Sequence, residues 1–498
     1  MHVATPSAPV DPNAPKPRLS RRVIAISLGA ALGGFLFGFD SSVVNGAVEA
    51  MQHDFALDDA FTGIATAIAL LACAFGAWFA GQIAEKFGRI RVMVISSIAF
   101  LISAIGSGLC MGVWDLMGWR IVGGLAIGAA SVIAPAYIAE VAPSAFRGRL
   151  GSLQQLAIVA GMLASVVSDQ AFAGSAGGAS EVLWLGIEAW RWMFIAAALP
   201  ALIYGGTSLM LPESPRYLVS RGQTRKAAQI LADFTGEADP AGKVQQIRAT
   251  MGEGEKRSLR DLTHPRYGLK PIVWIGIGLS VFQQFSGANA IFYYSVMLFK
   301  TVGFTESQSF WITTITNVTL VATTFIAIGL IDKVGRKALL VAGSIGMGLS
   351  LAAVAMSFAH ATRDAAGDLS LTGIWAWTAL IFANVFVLFY GATWGPVTWV
   401  LLGEMFPNRI RATALAVGAA AQWVANFAVT ATFPALKGWS LVGTYSIYTV
   451  IVFVGLVFCL KYVPETKGRE LEDMDDDPPA GGADSADEDA PAPALATA

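Results

Sequence analysis

Gly-Gln-Ile-Ala-Glu-Lys-Phe-Gly-Arg, residues Gly81–Arg89, recurs later in the chain as Gly-Leu-Ile-Asp-Lys-Val-Gly-Arg-Lys, residues Gly329–Lys337. Each copy is a short polar break between the second and third long apolar runs of its half. A further echo follows the same plan. Glu140 and Arg147 answer Glu404 and Arg411, at matching spacing, where the fourth run of each half ends. Two short matches at equivalent places argue for duplication. Parallel repeats of six spans are the signature of transporters that rock around a central site.

Composition agrees with this reading. Of 498 residues, 55% are apolar and 14% charged, and the mean hydropathy is +0.59. A soluble domain carries about 25% charge, so soluble domains built from this chain would lack a polar exterior. The same figures exclude a disordered chain. A net charge of -2 gives no bulk attraction to nucleic acid. Cys73, Cys110 and Cys459 fall in apolar runs and read as small hydrophobes, not as a disulfide or metal framework. A bilayer core about 30 Å thick takes about 20 apolar residues of helix. Twelve such runs begin near Ile24, Thr62, Val92, Trp114, Gly151, Trp192, Ile272, Ser309, Ala338, Ile374, Ala412 and Gly443. The expected fold is therefore an all-α membrane protein with twelve transmembrane helices in two six-helix bundles.

With the N-terminus in the cytoplasm, every Lys and Arg falls on that side except Arg191, Lys300, Arg363 and Lys437, and Arg120 inside the fourth run. The inverted topology breaks the positive-inside rule. Both termini are expected in the cytoplasm, with the chain in the cell membrane. The first 20 residues are polar and Pro-rich, with no cleavable signal peptide visible. The expected divisions are a cytoplasmic tail at 1–22, a bundle at 23–211, a cytoplasmic loop at 212–270, a second bundle at 271–463 and an acidic tail at 464–498. In the loop, Gln223 to Thr235 sets charges among Ala, Ile, Leu and Phe at helical spacing, which predicts a surface helix. The composition of the C-terminal tail predicts disorder.

Polar groups inside apolar runs must find partners. Gln283, Gln284, Asn289 and Tyr293 interrupt the seventh run, and Ser286-Gly287 among them predicts a loosened or bent helix. An amide both donates and accepts and carries no charge, which suits the hydroxyls of a sugar. Bonding between helices is its other use. Trp399 follows Gly395-Pro396, a predicted helix break. Gln422 and Asn426 share one helix face beside Trp423. An indole can cover the C–H face of a sugar while its N–H donates to a hydroxyl. Asp40 and Arg120 are charges well inside their spans, where each costs at least about 2.5–3.5 kcal/mol. A structural ion pair is one account of them. The other is a proton relay: burial favours the neutral carboxyl, a nearby Arg the charged one, and a moving Arg switches between them. Glu85, Arg89, Glu140, Arg147, Asp332, Arg336, Glu404 and Arg411 sit at cytoplasmic span ends. They read either as loop anchors or as a gate that pairs between halves when the inside is shut. No nucleophile–base set, metal cluster or phosphate loop stands out, and the four His lie outside the spans. No enzymatic activity and no cofactor are expected.

The chain resembles the sugar porter family of the major facilitator superfamily, and within it bacterial glucose permeases. The motifs are Gly-Phe-Asp at 38–40, Gly-Arg at 88–89 and 335–336, and Pro-Glu-Ser-Pro-Arg-Tyr-Leu at 212–218. Further along come Gln-Gln-Phe-Ser-Gly-Ala-Asn at 283–289, Trp-Gly-Pro-Val-Thr-Trp at 394–399 and Pro-Glu-Thr-Lys-Gly at 464–468. The resemblance implies alternating access, a monosaccharide substrate and sugar contacts at the amides above. It selects Gln155 over its neighbour Gln154 and implies that Asp40 carries a proton. Two positions depart from the family. Met162 stands where some proton-coupled members have Gln, and Leu320 where the family has Asn, with Asn317 as the nearby substitute. The expected function is import of a hexose, glucose first, with proton symport by a monomer. The alternatives are a facilitative uniporter and a membrane sugar sensor.

Overall fold

The structure is a computed structural model describing residues 20–142, 147–235, 239–252, 259–264, 266–301, 303–363, 369–407 and 410–467. Five helices make the first five crossings: α1 (Arg21–Asp54), α2 (Asp59–Phe87), α3 (Arg89–Gly108), α4 (Val113–Val141) and α5 (Arg147–Ala176). The sixth crossing is shared by α6 (Ala189–Ala196) and α7 (Ala198–Met210). The linking loop holds α8 (Pro215–Ser220), α9 (Thr224–Ile230) and α10 (Pro240–Gly252). The second half begins with α11 (Pro271–Phe285) and α12 (Ala288–Thr301), then α13 (Glu306–Val334) and α14 (Arg336–Ala359). It ends with α15 (Ile374–Ala392), α16 (Trp394–Glu404), α17 (Arg411–Trp439) and α18 (Leu441–Tyr462). Among the described residues, three short antiparallel hairpins decorate the loops, with Trp184 opposite Ile187, Thr263 opposite Leu269 and Thr362 opposite Ser370.

Eleven described stretches are long and apolar enough to cross a bilayer singly. The seventh predicted span is not among them because it is cut at Ser286–Gly287 into pieces of 15 and 14 residues. Laid end to end from Pro271 to Thr301, α11 and α12 complete the twelve crossings. Gly287 makes the break possible. Its φ of +83° is strained for any residue with a Cβ, and a Cβ would lie 2.7 Å from the Tyr448 ring. The tenth crossing breaks at Thr393 (φ -134°, ψ -88°), just ahead of the predicted Gly395-Pro396. Proline lacks an N–H, and its ring clashes with the carbonyl four residues back, so the helix yields before Pro396.

Within the first bundle α1 packs on α5, and α4 on α2 and α3. Within the second, α14 packs on α15 and α18, and α11 on α17. The bundles meet along α2 and α17, α5 and α13, and α1 and α12. Gly63 lets the Ala431 carbonyl press against the α2 backbone, where a Cβ would block the approach. The outer faces are apolar: Phe75, Ile95 and Trp311 are each more than half exposed, as lipid contact requires and water does not favour. In the loop, Leu218, Val219, Ala227, Ile230, Leu231 and Val244 form a small core of their own. The predicted helix over 223–235 appears as α9 followed by one π turn. The C-terminal tail beyond residue 467 lies outside the described residues.

Candidate functional site

The break in the seventh crossing frees backbone and turns its amides toward one another. Gln283 is the hub. Its Nε2 donates to the carbonyls of Trp394 (2.9 Å) and Gly395 (3.1 Å). Its Oε1 accepts from Gln422 Nε2 at 2.7 Å and from Gln284 Nε2 at 3.2 Å. Asn289 donates to Gln284 Oε1, and Ser286 Oγ donates to the Gln283 carbonyl at 2.7 Å. Gln283, Gln284, Asn289 and Gln422 thus form one connected, buried chain of amides drawn from α11, α12 and α17. The Gln422 Oε1 is buried with no partner among the described residues. A buried acceptor left unpaired costs about 1–3 kcal/mol, and a hydroxyl donor would satisfy it.

Tyr293 leads from this chain to the other bundle. It is buried, and its hydroxyl faces both Asn426 on α17 and Ser41 on α1. Asn426 also accepts from Thr430 Oγ1 at 3.2 Å. Beside Ser41, Asp40 accepts from Arg120, and both side chains are buried. The Arg120 guanidinium lies 5.6 Å from the centre of the Phe194 ring. Asp40, Ser41, Arg120, Tyr293 and Thr430 line a common water-sized void of about 10 Å³.

The remaining expected site residues vary in placement. Trp423 is buried and meets Phe37 of α1 edge to face at 5.3 Å. Gln154 presses on α1 at Gly34, and its neighbour Gln155 is half-buried. Asn317 is buried on α13 and donates to Thr313 O at 2.9 Å, outside the amide chain. Trp399 is 40% exposed, one turn beyond Gly395.

At the end of the bundles where α1 begins and α18 ends, two described charge pairs lie within bundles in this conformation. Arg89 donates to Glu140 (2.8 Å), and Arg336 donates to Glu404 through Nη2 (2.8 Å) and Nε (3.0 Å). Glu85 is exposed. The side chains of Arg147, Asp332 and Arg411 lie outside the described residues. A third limb went unread in the sequence. Glu213 accepts the Arg89 N–H (3.0 Å) at the start of α3, and Glu465 accepts the N–H groups of Arg336 and Lys337 (both 3.0 Å) at the start of α14. The next residue closes each ring, as Ser214 Oγ donates to Glu140 and Thr466 Oγ1 to Glu404. The signal was present as Pro-Glu-Ser at 212–214 and Pro-Glu-Thr at 464–466. Burial pushes the Glu465 carboxyl up, but bonds from the N–H groups of Lys467, Arg336, Lys337 and Thr466 outweigh it and hold it below the usual glutamate range.

A second intramembrane carboxyl also escaped notice. Asp169 on α5 is fully buried against Gly46 of α1, and neither oxygen has a partner among the described residues. A carboxyl buried without partners is costly.

A family model described as "Sugar (and other) transporter" matches residues 26–477. The chain belongs to the sugar porter family of the major facilitator superfamily. It is 50% identical over 454 residues to a glucose transport protein of a Synechocystis species, covering 91% of this chain and 97% of that one. It is 35% identical over 489 residues to the D-xylose-proton symporter of Escherichia coli, covering 92% and 96%. The structure is similar to the inward open conformation of the xylose transporter XylE from E. coli, with a TM-score of 0.77 at 33% identity, over 91% of this chain and 99% of that one. The protein is a multi-pass membrane sugar transporter, not an enzyme.

Proposed function

We propose that the protein imports a monosaccharide, glucose first, together with a proton, by alternating access in the cell membrane. Both termini and the basic face lie in the cytoplasm in this reading. The observation that carries it is the junction at Tyr293, whose hydroxyl faces the amide-bearing α17 at Asn426 and the acid-bearing α1 at Ser41. The amides of Gln283, Gln284, Asn289, Gln422 and Asn426 bind sugar hydroxyls, with Gln155 and Asn317 at the margin. Trp423 and Trp399 cover the apolar ring face. The unpartnered Gln422 Oε1 supports this, since a sugar O–H is the donor it lacks.

Coupling runs through the acid pair. Asp40 neutralised by a proton no longer holds Arg120 as an ion pair, and the released guanidinium relaxes toward the Phe194 ring. Tyr293 transmits the change to the sugar site because it faces both groups. The cytoplasmic charges act as the gate. In the present conformation the described pairs lie within bundles, and closing the inner end brings the two sets together. Similarity to both a glucose transport protein and a xylose-proton symporter supports the substrate class and the coupling.

The test is uptake by proteoliposomes of labelled glucose, xylose, galactose and myo-inositol under an inward-acid gradient. Glucose uptake that the other sugars compete weakly is expected. No uptake of any monosaccharide by folded protein contradicts the reading.

A further inference from the structure

At the end of the bundles away from the start of α1 and the end of α18, one described ion pair crosses from one bundle to the other. Lys300, near the end of α12, reaches Glu49 of α1 at 2.8 Å and Glu306 at the start of α13 at 3.5 Å. Glu306 in turn accepts the Ala179 N–H, 2.8 Å away, from the loop after α5. A cation of the second bundle therefore holds a carboxylate of the first, and a carboxylate of the second holds an amide of the first. A cavity of about 130 Å³ beside them is lined also by Asn45, His53 and Ser180. Next to it, Asn45 clasps α12. Its Nδ2 donates to Phe292 O (2.9 Å) and Ser295 Oγ (2.7 Å), and its Oδ1 accepts the Val296 N–H (2.9 Å).

We propose that Lys300 is the positioning residue of an extracellular latch that sets how much of the protein rests with its outer end shut. This rests on the alternating-access reading above. Opening outward separates α1 from α12. That breaks Lys300–Glu49 and Glu306–Ala179, while Lys300–Glu306, inside one bundle, survives. The side chains of Lys300 and Glu306 are each 29% exposed and that of Glu49 is 44% exposed, so the latch biases the equilibrium without locking it.

Spin labels read the gap directly. The three native cysteines are buried, so labels on Ser175→Cys and Ser307→Cys, exposed near the outer ends of α5 and α13, attach selectively. In the full chain in nanodiscs, Lys300→Met is expected to raise the ratio of long to short distances about two- to fivefold. Glu49→Gln should do the same, Lys300→Arg should restore the wild-type ratio, and the Met/Gln double variant should add little to either single change. An unchanged distribution in Lys300→Met, at wild-type helix content, overturns the latch. So does a shift in Lys300→Met that Glu49→Gln fails to reproduce. These distances need neither a particular sugar nor proton coupling. A wild type that never leaves one distance at any sugar concentration or pH counts against the rocking reading, and Lys300→Met still decides the latch.

Discussion

Arg120 donates to Asp40 deep in the first bundle, and Ser41, the next residue on α1, faces the hydroxyl of Tyr293 from the second. The ion pair is thus one residue from the only tyrosine that faces both the acid and the amides among the described contacts. Breaking a buried pair by deleting one partner costs about 3–5 kcal/mol. Asn at position 40 keeps the shape and an acceptor for Arg120 but cannot bind the proton. Asp40→Asn is expected to abolish accumulation of sugar against a gradient and to leave counterflow exchange largely intact. Parallel accumulation and counterflow assays check this, and accumulation at the wild-type level would refute the coupling role.

Gln422 joins the amide chain with one oxygen unpartnered. If that oxygen accepts a sugar hydroxyl, Gln422→Ala loses this bond as well as the donor to Gln283. Each is worth roughly 1 kcal/mol, so KM for glucose is expected to rise about tenfold or more. Maximal rate should change less. A KM equal to wild type would place Gln422 outside the site.

Gly287 holds the seventh crossing open at φ +83° against the Tyr448 ring. Left-handed backbone costs a side-chain-bearing residue about 1–2 kcal/mol, and the ring contact adds to it. Gly287→Ala should lower the melting temperature in detergent and slow uptake. Adding Tyr448→Ala removes the collision but not the strain, so recovery should be partial.

Glu465 ties the start of α14 to the bundle with its carboxylate charged. Its folded pKa lies below the ordinary value of 4.5. The stability it contributes is therefore present above that value and lost as pH falls through the lower, folded one. Thermal melts from pH 7 downward should show a wild-type decline below about pH 4.5 that Glu465→Gln lacks, starting from a lower plateau. Parallel curves for the two proteins would show that the cap contributes nothing.

The sequence was informative where physics acts locally. Apolar runs of bilayer length, the paired Gly-Arg loops and the amides beside Ser286-Gly287 were legible because each shows within one segment. Three features were not. The N–H groups that Glu213 and Glu465 cap lie more than a hundred residues away, so their capping role appears only once α3 and α14 are in place. The break before Trp399 is real, but it falls at Thr393, ahead of the predicted Gly395-Pro396. The inner charges were expected to be able to pair between halves. In a conformation joined at its outer end, the described pairs Arg89–Glu140 and Arg336–Glu404 lie within bundles, and the described ion pair that crosses is Lys300–Glu49 at the other face. Which end is shut is a property of the whole fold, and no single motif encodes it.

Accumulation of labelled glucose in proteoliposomes, with the interior held alkaline and then with the gradient collapsed by a protonophore, tests the central claim most directly. The account predicts internal glucose rising above the external concentration under the gradient and falling back to equality on collapse. Uptake that only ever equilibrates, at the same rate with and without the gradient, would contradict it.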